Sequence, residues 1–444
     1  MYPVRRRNEE GSESAMQRLI RISLLTTLIL TTFLAASPFH SVVRAAVPDF
    51  EPGQIVVKLA NPSNIDLLGI NQTYGTTTVA SLPNRSDIFL LRAPLGADAE
   101  NLVRVMMSDV RLAFAELNYI NENPEDGSTD RIYGWGGGDG ATMQSQSSAE
   151  SMKLEATHGL SQGAGTLVAI LDTGMQLDHP ALSNHLDAAG YDFVDNDLVP
   201  EDEPNGLDDD ADGRVDELYG HGTHVAGIVH LIAPQARLLP LRVLNSDGRG
   251  NNFRTASAIV YAAQRGVDAI NLSLGTPHES ILLREAVVEA ARRGVVVVGA
   301  AGNLNTDAKQ YPAAEACSIA VTSVSDNDKK SSFANYGEWI GVSAPGESIY
   351  SAFPVDGYAW WSGTSMATPF VAAQAALLRA ADPELTLDEV GLLIGGTTDP
   401  LDNKNPSYRS QLGEGRVDFL ASLESLAANT LPTQDRNVFA GCNP

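Results

Sequence analysis

The chain has 444 residues, enough for two or three domains, and 43% of them are hydrophobic, which supports a sizeable core. Its 55 acidic residues outnumber the 30 basic ones and give a formal net charge of −25, which disfavours binding to nucleic acid or to an anionic membrane surface. Cys317 and Cys442 form neither a disulfide framework nor a metal-ligand spacing, and the sequence leaves their pairing open.

Residues 1–45 have the pattern of a secretory signal peptide, with translation starting at Met1 or at Met16. Arg18 and Arg21 precede sixteen residues without a charge, 22–37, and small residues follow. This apolar run is shorter than the ~20 residues that a membrane-spanning helix needs. We therefore expect a protein that is secreted or exported to the cell envelope, with a retained membrane anchor as the alternative.

The next region, 46–122, predicts a small α+β domain. Three segments read as strands and one has helical spacing, in the order strand, strand, helix, strand: 53–60, 87–94, 97–110 and 110–120. Residues 123–150 are rich in Gly, Ser, Asp and Asn and show no periodicity. We expect them to form a flexible linker that is open to proteolysis.

Residues 151–424 alternate between strand and helix patterns. This alternation predicts a doubly wound α/β domain with a mostly parallel sheet flanked by helices, in which ligands bind at the carboxyl ends of the strands. Five continuous apolar runs are typical of strands buried on both faces: 165–174, 236–244, 267–275, 294–303 and 318–324. Residues 425–444 are expected to form a tail.

Four polar residues stand at strand or helix ends of this domain. Asp172 ends the strand in AILDTG, where a buried carboxylate could orient an imidazole, and Asn303 in GAAGN could supply an oxyanion-hole amide. His221 in HGTHVAG suits proton transfer, and Ser365 in SGTSMATP opens a helix whose N-terminus favours negative charge. Asp172 and Asn303 have a structural alternative as turn residues, and Ser365 has one as an N-cap.

The second histidine of HGTH argues against a zinc site. A zinc-protease helix places its two histidines four residues apart with a glutamate between them. His221 and His224 are three residues apart, with Gly222 and Thr223 between them. We therefore expect His224 to be structural.

In the order Asp172, His221, Ser365, these motifs resemble those of subtilisin-like serine proteases (subtilases, peptidase family S8) over about residues 150–424. The resemblance implies that Ser365 attacks the scissile carbonyl, His221 moves its proton, Asp172 orients the imidazole and Asn303 stabilises the oxyanion. It implies that an extended peptide adds a strand between two backbone segments. The implied substrate-binding residues are Ser273, Leu274, Gly275, Gly248, Arg249, Gly250, Ala301 and Gly302. Arg249 leads to the hypothesis of an acidic preference upstream of the cleaved bond.

The resemblance also implies that residues 46–122 are a ferredoxin-like propeptide, which inhibits the enzyme until it is cut away within 123–150. The expected function is that of a secreted serine endopeptidase, made as a zymogen, that acts on polypeptides as a monomer through an acyl-enzyme and needs no cofactor for its chemistry. Two alternatives remain: an inactive subtilase-fold surface binding protein, and a protease dedicated to maturing one partner.

An acidic run before the HGTH motif predicts a structural calcium site. Its alternate carboxylates and Gly213 follow the first half of an EF-hand loop, but Tyr219 replaces the final glutamate, so a solvated acidic loop is the alternative. Ala181 replaces an aspartate of a different calcium site found in many subtilisins, which we expect to be absent. The candidate Ca²⁺ ligands are Asp208, Asp210, Asp212 and Asp216.

Overall fold

The computed structural model describes residues 48–62, 67–125, 134–136, 140–355 and 357–444. The signal peptide expected at residues 1–45 lies outside these ranges. Within them, every helix is too short or too polar to span a bilayer.

The strands are β1 (Phe50–Leu59), β2 (Thr77–Ser81), β3 (Ile88–Arg92), β4 (Leu112–Glu122), β5 (Gly134–Gly136), β6 (Leu167–Asp172), β7 (Tyr191–Asp192), β8 (Arg237–Arg242), β9 (Arg249–Asn251), β10 (Ala269–Leu272), β11 (Val296–Ala300), β12 (Ser318–Val324), β13 (Val342–Pro345), β14 (Ile349–Phe353) and β15 (Gly357–Trp361). The α-helices are α1 (Leu67–Tyr74), α2 (Ala99–Met106), α3 (Gly140–Gln144), α4 (Ser147–Ser151), α5 (Leu154–His158), α6 (His221–Ile232), α7 (Asn252–Gln264), α8 (Ile281–Arg292), α9 (Thr364–Ala381), α10 (Leu387–Gly396) and α11 (Phe419–Ala427). Short 3₁₀ turns lie at Ser183–His185, Pro406–Tyr408 and Gln434–Arg436.

A seven-stranded parallel sheet, in the order β13-β12-β11-β10-β6-β8-β7, forms the centre of the larger part of the chain. Successive residues of a strand point to opposite faces. Val168 and Ile170 of β6 pack with α6 and α9, and Ala169 and Leu171 pack with α7 and α8. Burial on both faces explains the continuous apolar runs, and the predicted doubly wound α/β class is confirmed.

Residues 50–122 form an α+β unit with the chain order βαββαβ and an antiparallel sheet in the order β2-β3-β1-β4. This is the ferredoxin-like arrangement. One sheet face buries Ile55 and Val57 against α1 and α2. The other face contributes Val56, Leu90 and Phe114 to the core that contains α7 and α8, so the unit is packed on the α/β domain through apolar contacts.

Two polar contacts add to this packing at helix N-termini, where backbone N–H groups have no intrahelical acceptor. The Glu116 carboxylate accepts hydrogen bonds from Ser280 Oγ at 2.7 Å and from the N–H of Ile281 at 2.8 Å, at the start of α8. The Asn118 side-chain oxygen accepts from the N–H of Phe253 at 2.9 Å, at the start of α7. β4 thus caps two helices of the neighbouring domain.

Two regions that the sequence predicted to be irregular are partly packed. Within 123–150, α3 and α4 bury Met143 and Ala149 in the main core, and their five-residue lengths are too short to show a helical period. Within 425–444, Phe439 is buried and Cys442 forms a disulfide with Cys317 across a sequence separation of 125 residues. A cross-link over a loop of that size stabilises the folded state by roughly 3–5 kcal/mol.

Candidate active site

Asp172 and His221 form a buried pair at the carboxyl edge of the parallel sheet. Asp172 is the last residue of β6, and His221 is the first residue of α6, which Gly220 leads into with a φ of 90°. The Nδ1 atom of His221 lies 2.7 Å from Oδ1 of Asp172, which also accepts the N–H of Thr173 at 2.8 Å. Because a carboxylate only accepts, Nδ1 carries the hydrogen, and the ring is held with Nε2 on the opposite side.

Ser365 is the second residue of α9 and is fully buried. Its hydroxyl donates to Oε2 of Glu125 at 2.7 Å and lies 3.3 Å from the carbonyl oxygen of Ser273. In return, the Ser273 hydroxyl donates to the carbonyl of Ser365 at 2.9 Å. The free N–H groups of the first helical turn favour a negative group at this position.

Asn303 follows β11, and its side-chain amide lies beside the Glu125 carboxylate that Ser365 also contacts. Its Oδ1 atom accepts hydrogen bonds from the N–H of Thr364 at 2.9 Å and from Thr364 Oγ1 at 3.0 Å. These two donors settle the orientation of the amide, because only an oxygen can accept them. The Nδ2 atom therefore points away from Thr364 and donates to Oε1 of Glu125 at 3.0 Å.

Glu125, three residues after β4, brings a carboxylate into contact with His221, Ser365 and Asn303. In addition to the bonds from Ser365 and Asn303, its Oε2 atom lies 3.3 Å from Nε2 of His221. Burial would raise the pKa of Glu125, but the contacts with His221, Ser365 and Asn303 outweigh it and lower that pKa. Burial would likewise lower the pKa of His221, whereas the carboxylates of Asp172 and Glu125 raise it to about 10.

The sequence profile of the Subtilase family matches residues 163–418, more than half of the chain. The chain belongs to the subtilase family. Thermitase from Thermoactinomyces vulgaris is 44% identical over 231 residues, which are 50% of this chain and 77% of thermitase. A thermophilic serine proteinase from Bacillus sp. (strain AK1) is 37% identical over 293 residues, 64% of this chain and 67% of that protein. The predicted class, a subtilisin-like serine endopeptidase, is confirmed.

The fold of this subtilase is similar to that of a solved structure. Fervidolysin from Fervidobacterium pennivorans, a keratinolytic enzyme related to subtilisin, matches 87% of the chain with a TM-score of 0.70 and 23% identity. The match spans 63% of the fervidolysin chain. At this identity the likeness concerns the fold alone.

The end of β4 lies between the two backbone segments that are expected to bind substrate, 248–250 and 273–275. β9 pairs with β4, and Gly275 exchanges backbone hydrogen bonds with Glu122. Arg249 donates from Nη2 to the carbonyl of Pro48 at 3.2 Å, so its guanidinium has a partner in the N-terminal unit, and the acidic preference stays a prediction. Ala301 and Gly302 are buried in the turn that leads into Asn303, where the N–H of Gly302 donates to Thr364 Oγ1 at 3.0 Å.

Three of the four candidate metal ligands lie together. One carboxylate oxygen from each of Asp208, Asp210 and Asp212 falls within 4.8 Å of the others. The Asp216 carboxylate lies outside this group and accepts the N–H groups of Asn205 at 2.8 Å and of Gly206 at 3.0 Å, so its role as a metal ligand stays a prediction. Burial and the neighbouring carboxylates of Asp212 and Asp208 raise the pKa of Asp210.

His224 is held by the protein interior. Its Nε2 atom lies 3.2 Å from the carbonyl oxygen of Ile349 and 3.1 Å from that of Ala359, and burial lowers its pKa to about 3. A neutral ring that donates to backbone carbonyls is a structural element, as the sequence predicted.

Two carboxylates of this site, Glu125 and Asp202, carry no recognisable signal in the sequence. Glu125 stands in NENPEDG, whose composition reads as a turn, and Pro124 indicates only where the strand ends. Asp202 lies in the long loop before α6 and is almost fully buried. Local sequence patterns do not indicate that the side chain of a loop residue contacts residues far away in the sequence.

Asp202 joins the turn after β6 to the start of α6. Its Oδ1 atom accepts from the N–H of Gly220 at 3.0 Å and lies 3.2 Å from Thr173 Oγ1. Its Oδ2 atom accepts from Thr223, through the N–H at 3.1 Å and Oγ1 at 2.7 Å. The residues adjacent to Asp172 and His221 are thus tied to one carboxylate, so Asp202 is a positioning residue.

Replacing Asp202 with Asn should impair the positioning of Asp172 and His221. The amide can accept hydrogen bonds only at its oxygen, and its NH₂ group would face the N–H and O–H donors that the second carboxylate oxygen now accepts. We expect the free energy of unfolding to fall by about 1–3 kcal/mol and kcat to fall about 10-fold or more, with KM nearly unchanged. The test is steady-state hydrolysis of a peptide substrate, with thermal unfolding. The control is Asp178→Asn at an exposed carboxylate. An unchanged kcat would rule out the positioning role.

Proposed function

We propose that this subtilase is an exported serine endopeptidase that is made as a zymogen and cleaves peptide bonds with Asp172, His221 and Ser365. The observation that carries the proposal is the convergence of Ser365 Oγ, His221 Nε2 and Asn303 Nδ2 on one pair of carboxylate oxygens, within 2.7–3.3 Å. A nucleophile, a base and an oxyanion donor are needed within such a distance of one reacting group.

In the proposed reaction, Ser365 Oγ attacks the scissile carbonyl carbon while Nε2 of His221 takes its proton. Asn303 Nδ2 and the N–H of Ser365 stabilise the oxyanion, and loss of one such donor typically costs about 10²–10³ in turnover. The carbon–nitrogen bond then breaks as His221 returns the proton to the leaving amine. Water attacks the resulting ester by the same route and releases Ser365.

Asp172 prepares His221 for both proton transfers. The 2.7 Å contact supports the tautomer in which Nε2 is free to accept, and it stabilises the imidazolium that forms after the transfer. Because both side chains are fully buried, water does not compete for this hydrogen bond.

The proposed substrates are polypeptides in an extended conformation. The position of β4 between β9 and Gly275 supports recognition through backbone hydrogen bonds, as when a peptide adds a strand. The same contacts support the proposal that residues 46–122 act as an inhibitory propeptide, because they occupy this position. Export follows from the signal pattern in residues 1–45.

Replacing Ser365 with Ala should abolish activity, because the hydroxyl is the proposed nucleophile. We expect an intact chain that stays at full length and does not react with a fluorophosphonate, whereas the native chain converts to a shorter form and is labelled. Gel analysis and mass spectrometry measure both. The control is Ser183→Ala at an exposed hydroxyl. Equal conversion of the native and Ser365→Ala chains would refute self-processing by this residue.

We also propose that the acidic loop binds a structural Ca²⁺ ion through Asp208, Asp210 and Asp212. Clustered carboxylates repel one another, and a hard cation with oxygen ligands relieves that repulsion. The buried Asp247 carboxylate accepts the N–H groups of Asp209 and Asp216 and directly precedes Gly248. The ion would therefore brace the loop between the substrate-binding segment and α6.

Chelation should lower the melting temperature. A ligand at about 100 times its Kd adds about 2.7 kcal/mol to the stability, which corresponds to several degrees. We expect EGTA to have this effect on the native chain, Ca²⁺ to reverse it, and Asp210→Asn to abolish it. Glu384→Gln, which removes an exposed carboxylate elsewhere, is the charge-matched control. A melting temperature that does not respond to EGTA would refute the calcium site.

A further inference from the structure

We propose that Glu125 is a tethered inhibitor whose side-chain carboxylate binds Ser365, His221 and Asn303 together and so holds the enzyme latent. This inference rests on the proposed function, because it concerns the same catalytic centre. It goes beyond inhibition by a bound propeptide, since it assigns the block to one carboxylate.

Residues 120–123 lie as an added strand in the cleft between β9 and the segment at Gly275. Glu122 and Gly275 exchange two backbone hydrogen bonds of 2.9 Å, and the N–H of Asn123 donates to the carbonyl of Gly248 at 3.1 Å. On the same side as Gly248, Asn121 pairs with Gly250 of β9, so the strand lies between β9 and the segment at Gly275. This part of the chain therefore has the register of a bound peptide.

Pro124 ends that register. In an antiparallel ladder hydrogen-bonded and non-hydrogen-bonded pairs alternate, so the next hydrogen-bonded pair after Glu122 and Gly275 would consist of Pro124 and Ser273. Proline has no N–H to donate, and the Ser273 carbonyl accepts instead from the side-chain amide of Asn123 at 2.7 Å. The backbone pairing stops here, and the group delivered to the catalytic centre is the side chain of Glu125.

The carboxylate of Glu125 is enclosed by the centre. Its side chain is 1% exposed, with Oε2 2.7 Å from Ser365 Oγ and Oε1 3.0 Å from Asn303 Nδ2. A Cβ atom added at Gly363 would lie 1.8 Å from Oε1. Any residue larger than glycine at this position would thus collide with the bound carboxylate.

One side chain blocks three steps of the proposed reaction. The Ser365 hydroxyl donates its hydrogen to Glu125, so the hydrogen is not directed to the base. His221 stands between the carboxylates of Asp172 and Glu125, which favour the imidazolium, and an imidazolium has no lone pair at Nε2 to accept a proton. The donor of Asn303 is occupied, so an oxyanion cannot use it.

The carboxylate also resists the reaction that it blocks. Attack of Ser365 on a carboxylate carbon would have to expel an oxide ion, which is a far poorer leaving group than a protonated amine. The Glu125 side chain therefore binds without bond breakage, and processing waits until it leaves Ser365.

The first test measures how fast a fluorophosphonate labels Ser365 in the freshly purified, full-length chain. We expect Glu125→Ala and Glu125→Gln to be labelled about 10-fold faster or more than the native chain. Both variants lose the buried charge pair with His221, which makes the blocked state less stable and leaves Ser365 free to react. Glu150→Gln, an exposed acid of the same polar stretch, is the control and should match the native rate. Equal labelling rates in all four chains would overturn the inference.

A second test uses the native enzyme and therefore does not depend on whether a variant folds. The processed enzyme is assayed with the amidated peptides acetyl-Asn-Glu-Asn-Pro-Glu-NH₂ and acetyl-Asn-Glu-Asn-Pro-Gln-NH₂, which match residues 121–125 and differ only in the last side chain. We expect the glutamate peptide to compete with substrate at an inhibition constant about 10-fold lower or more, and to stay uncleaved. Equal constants, or cleavage of the Pro–Glu bond, would overturn the inference.

The outcomes separate this inference from the proposed function. If Glu125→Ala hydrolyses peptides and is labelled, the proposed function holds, and the relative rates decide the role of Glu125. If no form of the chain, Glu125→Ala included, hydrolyses peptides or reacts with the fluorophosphonate, the proposed function itself fails.

Discussion

A carboxylate buried without partners costs several kcal/mol, so each buried carboxylate has to be satisfied by hydrogen bonds or an opposite charge. This constraint applies to the candidate active site, where Asp172, Asp202 and Glu125 are all fully or almost fully buried. Asp202 is satisfied by donors next to Asp172 and His221, Asp172 by the His221 ring, and Glu125 by the same ring from the other side. The three acids therefore fix the positions of the turn, the helix and the imidazole relative to one another.

Buried polar groups also need hydrogen-bond partners where the N-terminal unit contacts the α/β domain. Helix N-termini carry unpaired N–H groups, and β4 supplies acceptors to two of them through Glu116 and Asn118 before it ends beside the candidate active site. Its apolar face shares a core with α7 and α8. The unit is thus packed on the helices that β4 caps, and the strand that caps them also places residues 120–125 in the cleft.

Much of the fold could be predicted from local patterns, since apolar runs such as 165–174 are long and their burial on two faces leaves a clear signal. Asp172, His221, Ser365 and Asn303 could be picked out because each stands at or within three residues of the end of a regular element and next to small residues. Glu125 and Asp202 could not, because their roles depend on long-range packing of loops. The short helices within 123–150 and the buried Phe439 were missed because their local patterns are too short to show a period.

The most direct test of the account is the protonation of His221 in the intact chain. Two flanking carboxylates raise its pKa to about 10, so this stabilisation is complete below the ordinary value of 6.5 and is lost as the pH rises through about 10. The measurement is an NMR titration of ¹⁵N-labelled histidines in the Ser365→Ala chain, with and without Glu125→Gln. We predict that His221 is an imidazolium at pH 8, and that Glu125→Gln lowers its midpoint by about one pH unit or more. A neutral ring at pH 8, or a midpoint that Glu125→Gln leaves unchanged, would contradict the account.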